Sequence, residues 1–202
     1  MAALRRGVLG GTFDPVHCGH VELVEYAQQE LGFAEVLWIP AGDPWRKSGR
    51  KITPSRHRLA MVQLAIEAQP SWRISTAEID RPGPTYTVDT LVELHALHEG
   101  DSFTLILGQD ALEDLPNWHE PARILELAGL AVAGRGGPVL SAKELDILLP
   151  GLSSRVTWLD MPLMPFSGTQ VRGLAARGTP LPGFVPKSVE DYIREQGLYR
   201  AG

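Results

Sequence analysis

A single cysteine, Cys18, stands in a chain of 202 residues. No internal disulfide can therefore staple the fold, and a reducing compartment suits it. Long apolar runs are missing too. Arg5 and Arg6 precede only a short apolar stretch broken by glycines, too short for a signal-peptide core, and no later run is long enough to span a bilayer. Positive charge is scarce: 19 Lys and Arg against 24 Asp and Glu leave a net charge of −5. That is not the basic stripe a nucleic-acid partner requires, although it leaves room for a small basic nucleotide pocket. There is no internal repeat and no low-complexity tract. These absences exclude membrane and nucleic-acid roles and predict a cytoplasmic protein. What is present, 44% apolar and 21% charged residues, is the composition of an ordinary globular domain, and the length fits one domain.

Apolar runs and glycine or proline punctuation alternate along the chain. Val8-Leu9 reads as a short strand, Gly19 to about Leu31 as an amphipathic helix, and Glu35 to Pro40 as a strand stopped by proline. Pro54 to Ile66 is a helix with apolar residues at 59, 62, 65 and 66, near the 3.6 period. Trp72 to Ile79 alternates like a strand, and the turn-rich segment 81–87 leads into a helix through Asp89 and Leu94. Phe103 to Leu107 is the clearest buried strand. Short helices over 111–115 and 124–128 flank Pro116-Asn117-Trp118-His119. Leu130 to Ala133 is another buried strand, 143–149 is weakly helical, and Val156 to Leu159 is a last strand. Ser167 or Thr169 caps a helix running through Arg172, and Val189 to Gln196 is a final amphipathic helix ended by Gly197.

Strands alternating with helices throughout predict an α/β, Rossmann-like, doubly wound parallel sheet with helices on both faces. The expected organisation is one domain over 1–202, with a C-terminal helical segment, about 167–202, packed on it. Ligands of such sheets lie beyond the C-terminal strand ends, which brings the glycine turn after the first strand beside Leu107-Gly108.

The densest chemistry lies in Gly10-Gly11-Thr12-Phe13-Asp14-Pro15-Val16-His17-Cys18-Gly19-His20. Paired glycines let backbone approach a ligand closely, and the N–H groups of a helix start attract an anion. His17 and His20 lie three apart, on one side of the new helix, where two imidazoles can hold charge on a reacting phosphoryl group. Each histidine alone serves equally well as a loop or cap residue. Cys18 is a nucleophile or a small apolar filler, and nothing local marks it as the former. Gly108 and Asp110 suit a ribose, or Asp110 simply caps a helix. Ser167, Thr169 and Arg172 at a helix start suit leaving phosphates. The loop 41–53, with Trp45, Arg46, Lys47, Arg50 and Lys51, closes over a phosphate or only aids solubility.

As one string, residues 10–20 resemble the GGTFDPVHxGH signature of the nucleotidyltransferase superfamily, with His17-Cys18-Gly19-His20 as the HxGH tetrad. Further segments are similar to bacterial nicotinate-nucleotide adenylyltransferase: Pro40-Ala41-Gly42 through Lys47, Thr53-Pro54 to Arg58, Gly83 to Leu91, Leu107 to Leu112, Pro116-Asn117-Trp118, Val185-Pro186 to Tyr192, and Gly197-Leu198-Tyr199. The resemblance covers nearly the whole chain, and its Gly-Pro-Thr-Tyr-Thr and Leu-Pro-Asn-Trp segments narrow it beyond the superfamily. It implies transfer of AMP from ATP to nicotinate mononucleotide in NAD biosynthesis, giving deamido-NAD and pyrophosphate, with magnesium carried by ATP.

By position, the resemblance assigns Gly10, Gly11, Thr12, Phe13, His17, His20, Gly108, Asp110, Ser167, Thr169 and Arg172 to ATP. Of these, His17, His20 and Arg172 are the catalytic set. Lys47, Tyr86, Thr87 and Trp118 fall to nicotinate mononucleotide: Lys47 at its phosphate, Trp118 stacked on the pyridine ring, Tyr86 and Thr87 near its carboxylate. No protein metal site is implied. The chain departs from the family pattern twice. Gly168 replaces the middle serine of Ser-Ser-Thr, and Pro44-Trp45-Arg46-Lys47 replaces Pro-Pro-His-Lys. Rival readings are a sister enzyme acting on nicotinamide mononucleotide or phosphopantetheine, and a non-catalytic nucleotide sensor, which would be expected to have lost a histidine or Arg172. The oligomeric state, a homo-oligomer included, stays open.

Overall fold

Val8-Leu9, Leu37-Trp38-Ile39 and Leu105-Ile106-Leu107 are apolar on both sides because both faces of their sheet are covered. The computed structural model describes residues 3–42, 52–134, 136, 138–162 and 166–200. Its strands are β1 (Arg5–Gly11), β2 (Glu35–Pro40), β3 (Trp72–Ile74), β4 (Ser102–Gly108), β5 (Ala128–Ala133) and β6 (Val156–Leu159). They form a six-stranded sheet in the order β3-β2-β1-β4-β5-β6, with every neighbouring pair parallel. The chain winds outward from β1 through β2 to β3, then returns to β1's other side with β4. The strand order therefore reverses between β1 and β4, the place where such sheets open a crevice at their carboxyl ends. The expected doubly wound parallel fold is the observed one.

Successive strand residues point to opposite faces and enter separate cores. Leu9, Trp38 and Ile106 join one core with Val24 and Ala27 of α1 (Cys18–Leu31), Met61 and Val62 of α2 (Ser55–Ile66), Val171 of α8 (Gly168–Ala176), and Val189 and Ile193 of α9 (Lys187–Glu195). Val8, Leu37, Leu105 and Leu107 join the other. There they meet Leu91 and Leu94 of α4 (Thr87–Leu97), Leu112 of α5 (Gln109–Asp114), Ile124 of α6 (Pro121–Leu127) and Leu145 of α7 (Ala142–Leu148). Burying an aliphatic side chain of this size contributes about 1.5–3 kcal/mol, so α8 and α9 are held to the sheet by the same force as α1. At the amino-terminal edge, Arg6 donates to Asp101 at 2.7 Å and also pairs with Glu35, tying β1 to its neighbours. Among the described residues no helix is long and apolar enough to cross a membrane.

The structure corrects one strand. Trp72 to Ile79 alternates, yet β3 ends at Ile74 and residues 77–80 form a helical turn, α3 (Ala77–Asp80). The Ser75 N–H still reaches the Trp38 carbonyl at 3.0 Å. Then Thr76 Oγ1 donates to the Asp80 carboxylate at 2.6 Å, and the Asp80 N–H to the Thr76 carbonyl at 2.9 Å. This local bonding to a side chain competes with the ladder, and β3, an edge strand, has a partner on one side only. Smaller shifts follow the same logic: α5 begins at Gln109, with Gly108 as its cap rather than Asp110, and α4 begins at Thr87 with Tyr86 as its cap.

Gly42, just after β2, lies against α3. A Cβ there would fall 1.9 Å from the carbonyl oxygen of Glu78, a backbone atom with no freedom to retreat. Gly42→Ala should lower unfolding stability by about 2 kcal/mol, the usual scale of overpacking, read from denaturant midpoints. An unchanged midpoint would mean that the two backbones are not in contact.

Candidate active site

The turn leaving β1 delivers two imidazoles to the start of α1. His17 is the cap residue, in extended conformation (φ −142°, ψ 168°), and its backbone N–H donates to Nδ1 of His20, three residues on, at 3.2 Å. An imidazole thus takes the place that Glu or Gln holds in an ordinary capping box. Accepting at Nδ1 leaves His20's proton on Nε2, the tautomer that can donate to a phosphate oxygen. The rings stack with centroids 3.7 Å apart, and Phe13 meets His20 edge-on at 5.1 Å. His17 is 9% exposed and its buried Nδ1 has no hydrogen-bond partner among the described residues. Burial lowers its pKa from 6.5 to about 4, so the ring is neutral at pH 7. Gly19 has no room for a side chain: a Cβ would lie 3.2 Å from His17 Nδ1 and 3.2 Å from Phe166. Two N–H groups that sequence reasoning offered to an anion are occupied, Cys18's by the Phe184 carbonyl at 2.9 Å and His20's by the His17 carbonyl at 2.9 Å. Burial and nearby Glu22 push the Cys18 thiol up, away from the thiolate a nucleophile needs.

Beneath this turn lies Arg58, 2% exposed. Its guanidinium donates to three backbone carbonyls: Thr53 through Nε at 2.9 Å, Thr12 through Nη1 at 2.8 Å, and Gly42 through Nη2 at 3.2 Å. Burial lowers its pKa while Asp14 and Tyr199 oppose that. Asp14, 6% exposed, accepts from the Tyr199 hydroxyl at 2.8 Å, and burial pushes that phenol up. Arg172 closes the assembly from α8: Nη1 donates to the Asp14 carbonyl at 2.6 Å and Nη2 to Thr169 Oγ1 at 3.0 Å. Ser167 caps the same helix by accepting the Gln170 N–H at 3.2 Å.

Over the carboxyl ends of β1 and β4 opens a cavity of about 540 Å³, a size that takes a small ligand. Gly10, Gly11 and Thr12 form one side, with Tyr86, Thr87 and Trp118 among its other lining residues. A side chain at Gly10 or Gly108 would meet nothing within 4 Å, so the strand ends are open. The indole N–H of Trp118 donates to Asp114 at 3.3 Å, which fixes its ring, and Tyr86 stacks near His119 at 4.4 Å. Glu78, Thr85 and Asp114 also line this space. Burial pushes the Glu78 carboxyl above its ordinary range, while hydrogen bonds from Thr90 and Thr85 and the charge of Arg81 pull it back.

Of the residues expected from sequence, Gly10, Gly11, Thr12, Tyr86, Thr87 and Trp118 share this one cavity. His17 and His20 stack on each other at the α1 start, outside the cavity's lining residues, and Arg172 joins α8 to the same turn. Gly108 caps α5, with Asp110 in that helix's first turn at the end of β4. Phe13, also expected at ATP, has a side chain 2% exposed that meets His20 edge-on. Lys47, with Trp45 and Arg46, lies outside the described residues. Sequence reading passed over Arg58, Glu78 and Tyr199. For Arg58 a signal existed, because the buried residues of α2 are Arg58, Met61, Val62 and Ile66, an arginine on the apolar stripe. For Glu78 there was none, since the expected strand gave it no site to face.

A family model described as cytidylyltransferase-like matches residues 8–174. A protein of Thermomicrobium roseum, described as a probable nicotinate-nucleotide adenylyltransferase, is 43% identical over 97% of this chain and 92% of its own length. One of the same description from Roseiflexus is 42% identical over 99% and 100%. Among solved structures, the nicotinic acid mononucleotide adenylyltransferase of Plasmodium falciparum is similar in fold. Its complex with APC superposes with a TM-score of 0.79 at 18% identity, and its complex with NaAD with 0.78, each covering 97% of both chains.

Two expectations follow from the geometry. The unfolded state binds a proton on His17 below pH 6.5, whereas the folded state does so only below about 4. This ring's contribution to stability is therefore complete above pH 6.5 and is lost as pH falls toward 4. A histidine NMR titration should show one imidazole with a midpoint near 4, and a full set of midpoints near 6.5 would contradict the burial. At Gly168, a Cβ would lie 3.0 Å from Arg172 Nη1 and 3.3 Å from the Asp14 carbonyl. Gly168→Ala should displace the guanidinium from the Asp14 carbonyl and lower unfolding stability by about 2 kcal/mol, the scale of a hydrogen bond to a charged group, read from denaturant midpoints.

Proposed function

Because this chain belongs to the cytidylyltransferase-like family, among its nicotinate-nucleotide adenylyltransferases, we propose that it transfers AMP from ATP to nicotinate mononucleotide. The products are deamido-NAD and pyrophosphate, and the reaction belongs to NAD biosynthesis. The observation that carries this reading is the cavity joining the Gly10-Gly11-Thr12 turn to Tyr86, Thr87 and Trp118. What supports the reading is that the Gly10-Gly11-Thr12 backbone and the rings of Tyr86 and Trp118 line one space, and that the same β1–α1 turn carries the stacked histidines.

Nucleotidyl transfer needs little covalent help from protein. It needs the attacking phosphate held in line with the α-phosphorus of ATP, and donors around the charge that builds there. In this reading the mononucleotide's phosphate oxygen attacks the α-phosphorus while the bond to the β-phosphate oxygen breaks and pyrophosphate leaves. His20, with its proton held on Nε2, and neutral His17 donate to the α-phosphate oxygens as charge accumulates. Arg172, anchored on the Asp14 carbonyl, supplies the permanent cation, with Ser167 and Thr169 beside it for the leaving phosphates. Gly108 and Asp110, at the end of β4, receive the adenosine ribose. Trp118 stacks on the pyridine ring, and the turn at Tyr86 and Thr87 meets its carboxylate. Lys47 is assigned to the mononucleotide phosphate on sequence alone.

Magnesium enters on the triphosphate, because this small ion keeps water and phosphate oxygens as ligands. The described residues contain no group of three or more His, Cys, Asp or Glu suited to a metal. We place the protein in the cytoplasm, where a lone cysteine stays reduced.

Pyrophosphate release should be measured with ATP and magnesium, offering nicotinate and nicotinamide mononucleotides side by side. Turnover favouring the acid is expected, and His20→Ala should lower kcat by roughly 10²–10³, the usual loss of a transition-state donor. Preference for the amide would keep the family and overturn the substrate. No release with either, while ATP still binds, would favour a sensor.

A further inference from the structure

A relay of polar groups, two of them buried threonines, runs along the cavity wall, and the transfer of AMP makes no use of it. Glu78, on α3, receives one hydroxyl on each carboxylate oxygen: Thr85 Oγ1 donates to Oε2 at 3.1 Å, and Thr90 Oγ1 to Oε1 at 3.0 Å. Both threonines are buried, at 7% and 3% exposure. Thr90 in turn accepts from Arg81 Nη1 at 3.2 Å, and Arg81 Nη2 reaches Glu93 at 2.7 Å. The relay therefore grips the 83–87 turn at both ends, at Thr85 before it meets α4 and at Thr90 one turn inside that helix. The Thr90 N–H also holds the carbonyl of Tyr86, the cap residue, at 3.2 Å. Between these two grips stand Tyr86 and Thr87, which line the cavity beside Glu78 itself.

The chemistry of the two rival mononucleotides makes this arrangement consequential. A pyridine carboxylate accepts hydrogen bonds at both oxygens, whereas a carboxamide accepts at one atom and donates at the other. The first N–H groups of a helix have no acceptor within the helix, so the start of α4 is suited to a carboxylate when it is held still. An ionised Glu78 with idle lone pairs would do the reverse, repelling a carboxylate and welcoming an amide N–H. The two threonine hydroxyls direct donors at those lone pairs. The Glu78 backbone is itself packed against Gly42, where an added Cβ would fall 1.9 Å from its carbonyl oxygen.

We propose that Glu78 is a positioning residue that sets the enzyme's choice of acid over amide, acting through Thr85 and Thr90 to hold the 83–87 turn against the pyridine substituent. The inference rests on the mononucleotide reading above, and its test separates the two. Glu78→Gln keeps size and removes an acceptor, so one of the two hydroxyls loses its partner. Thr85→Val removes a single hydroxyl and is the milder change should the first variant fold poorly.

In either variant the ratio of kcat/KM for nicotinate mononucleotide to that for nicotinamide mononucleotide should fall about tenfold, through KM for the acid, the scale of one misplaced polar contact in a specificity site. KM for ATP should stay unchanged, and the double variant should be no worse than Glu78→Gln alone, because the two residues act as a unit. Amide hydrogen exchange over residues 83–91 should quicken in Glu78→Gln without substrate. An unchanged ratio, even with both substrates slowed together, would overturn the proposal and leave Glu78 a stability residue. If the wild-type chain turns over neither mononucleotide, the functional reading fails instead. The choice assigned to Glu78 then falls with it, whereas turnover with an unchanged ratio removes the proposal alone.

Discussion

A guanidinium held at 2% exposure needs its donors answered, since leaving a buried charge without partners costs several kcal/mol. Arg58 finds its partners in three backbone carbonyls from separate parts of the chain: Thr12 after β1, Gly42 after β2 and Thr53 before α2. Strand pairing already joins the first two, through the Ala41 N–H and the Gly11 carbonyl at 2.8 Å, and the guanidinium adds the third. The guanidinium's fixed fork of N–H groups makes them one unit. A lysine, with a single nitrogen, has no comparable geometry. The Asp14 carboxylate with its Tyr199 partner, and Arg172 on the Asp14 carbonyl, extend that unit to the C-terminal segment.

The site inherits this rigidity. The turn from residue 12 to 17 is held from below by Arg58 and from α8 by Arg172, while Cys18 is tied to Phe184. The stacked pair His17 and His20 therefore sits on a turn braced from several directions, which is what preorganised donors require. Across the cavity, the α4 turn has its own brace in Glu78, Thr85 and Thr90. The first brace is a buried polar network and the second a half-buried carboxylate held by two buried threonines, and matched donors and acceptors of this kind favour one arrangement. They meet at Gly42, whose carbonyl accepts from Arg58 and whose Cα lies against the Glu78 backbone.

Legibility in the sequence varied with how local the cause was. Gly10 to His20 was readable because glycines, a cap and a three-residue histidine spacing act within one turn. The strands β2, β4 and β5 were readable because a strand buried on both faces is a continuous apolar run. The segment 72–79 was misread, since an alternating pattern cannot reveal that Thr76 and Asp80 close a turn at the sheet edge. Arg58 was legible in principle from its place on the apolar stripe of α2, but periodicity counted Leu59 instead. Phe13 belongs to the same string as His17 and His20, and its side chain is buried edge-on to His20.

By itself, then, the amino-acid order determined the α/β alternation, the parallel sheet, the place of the crevice and the pairing of His17 with His20. Each follows from spacing within a few residues or from the burial that a run of apolar side chains demands. Tertiary structure alone decided that Thr12, Gly42 and Thr53 share one guanidinium, that Glu78 stands behind the Tyr86–Thr87 turn, and that Arg172 meets the carbonyl of Asp14, 158 positions away. These contacts join segments far apart in the chain. Their partners are mostly backbone carbonyls, which every residue carries and which therefore leave no mark in a sequence.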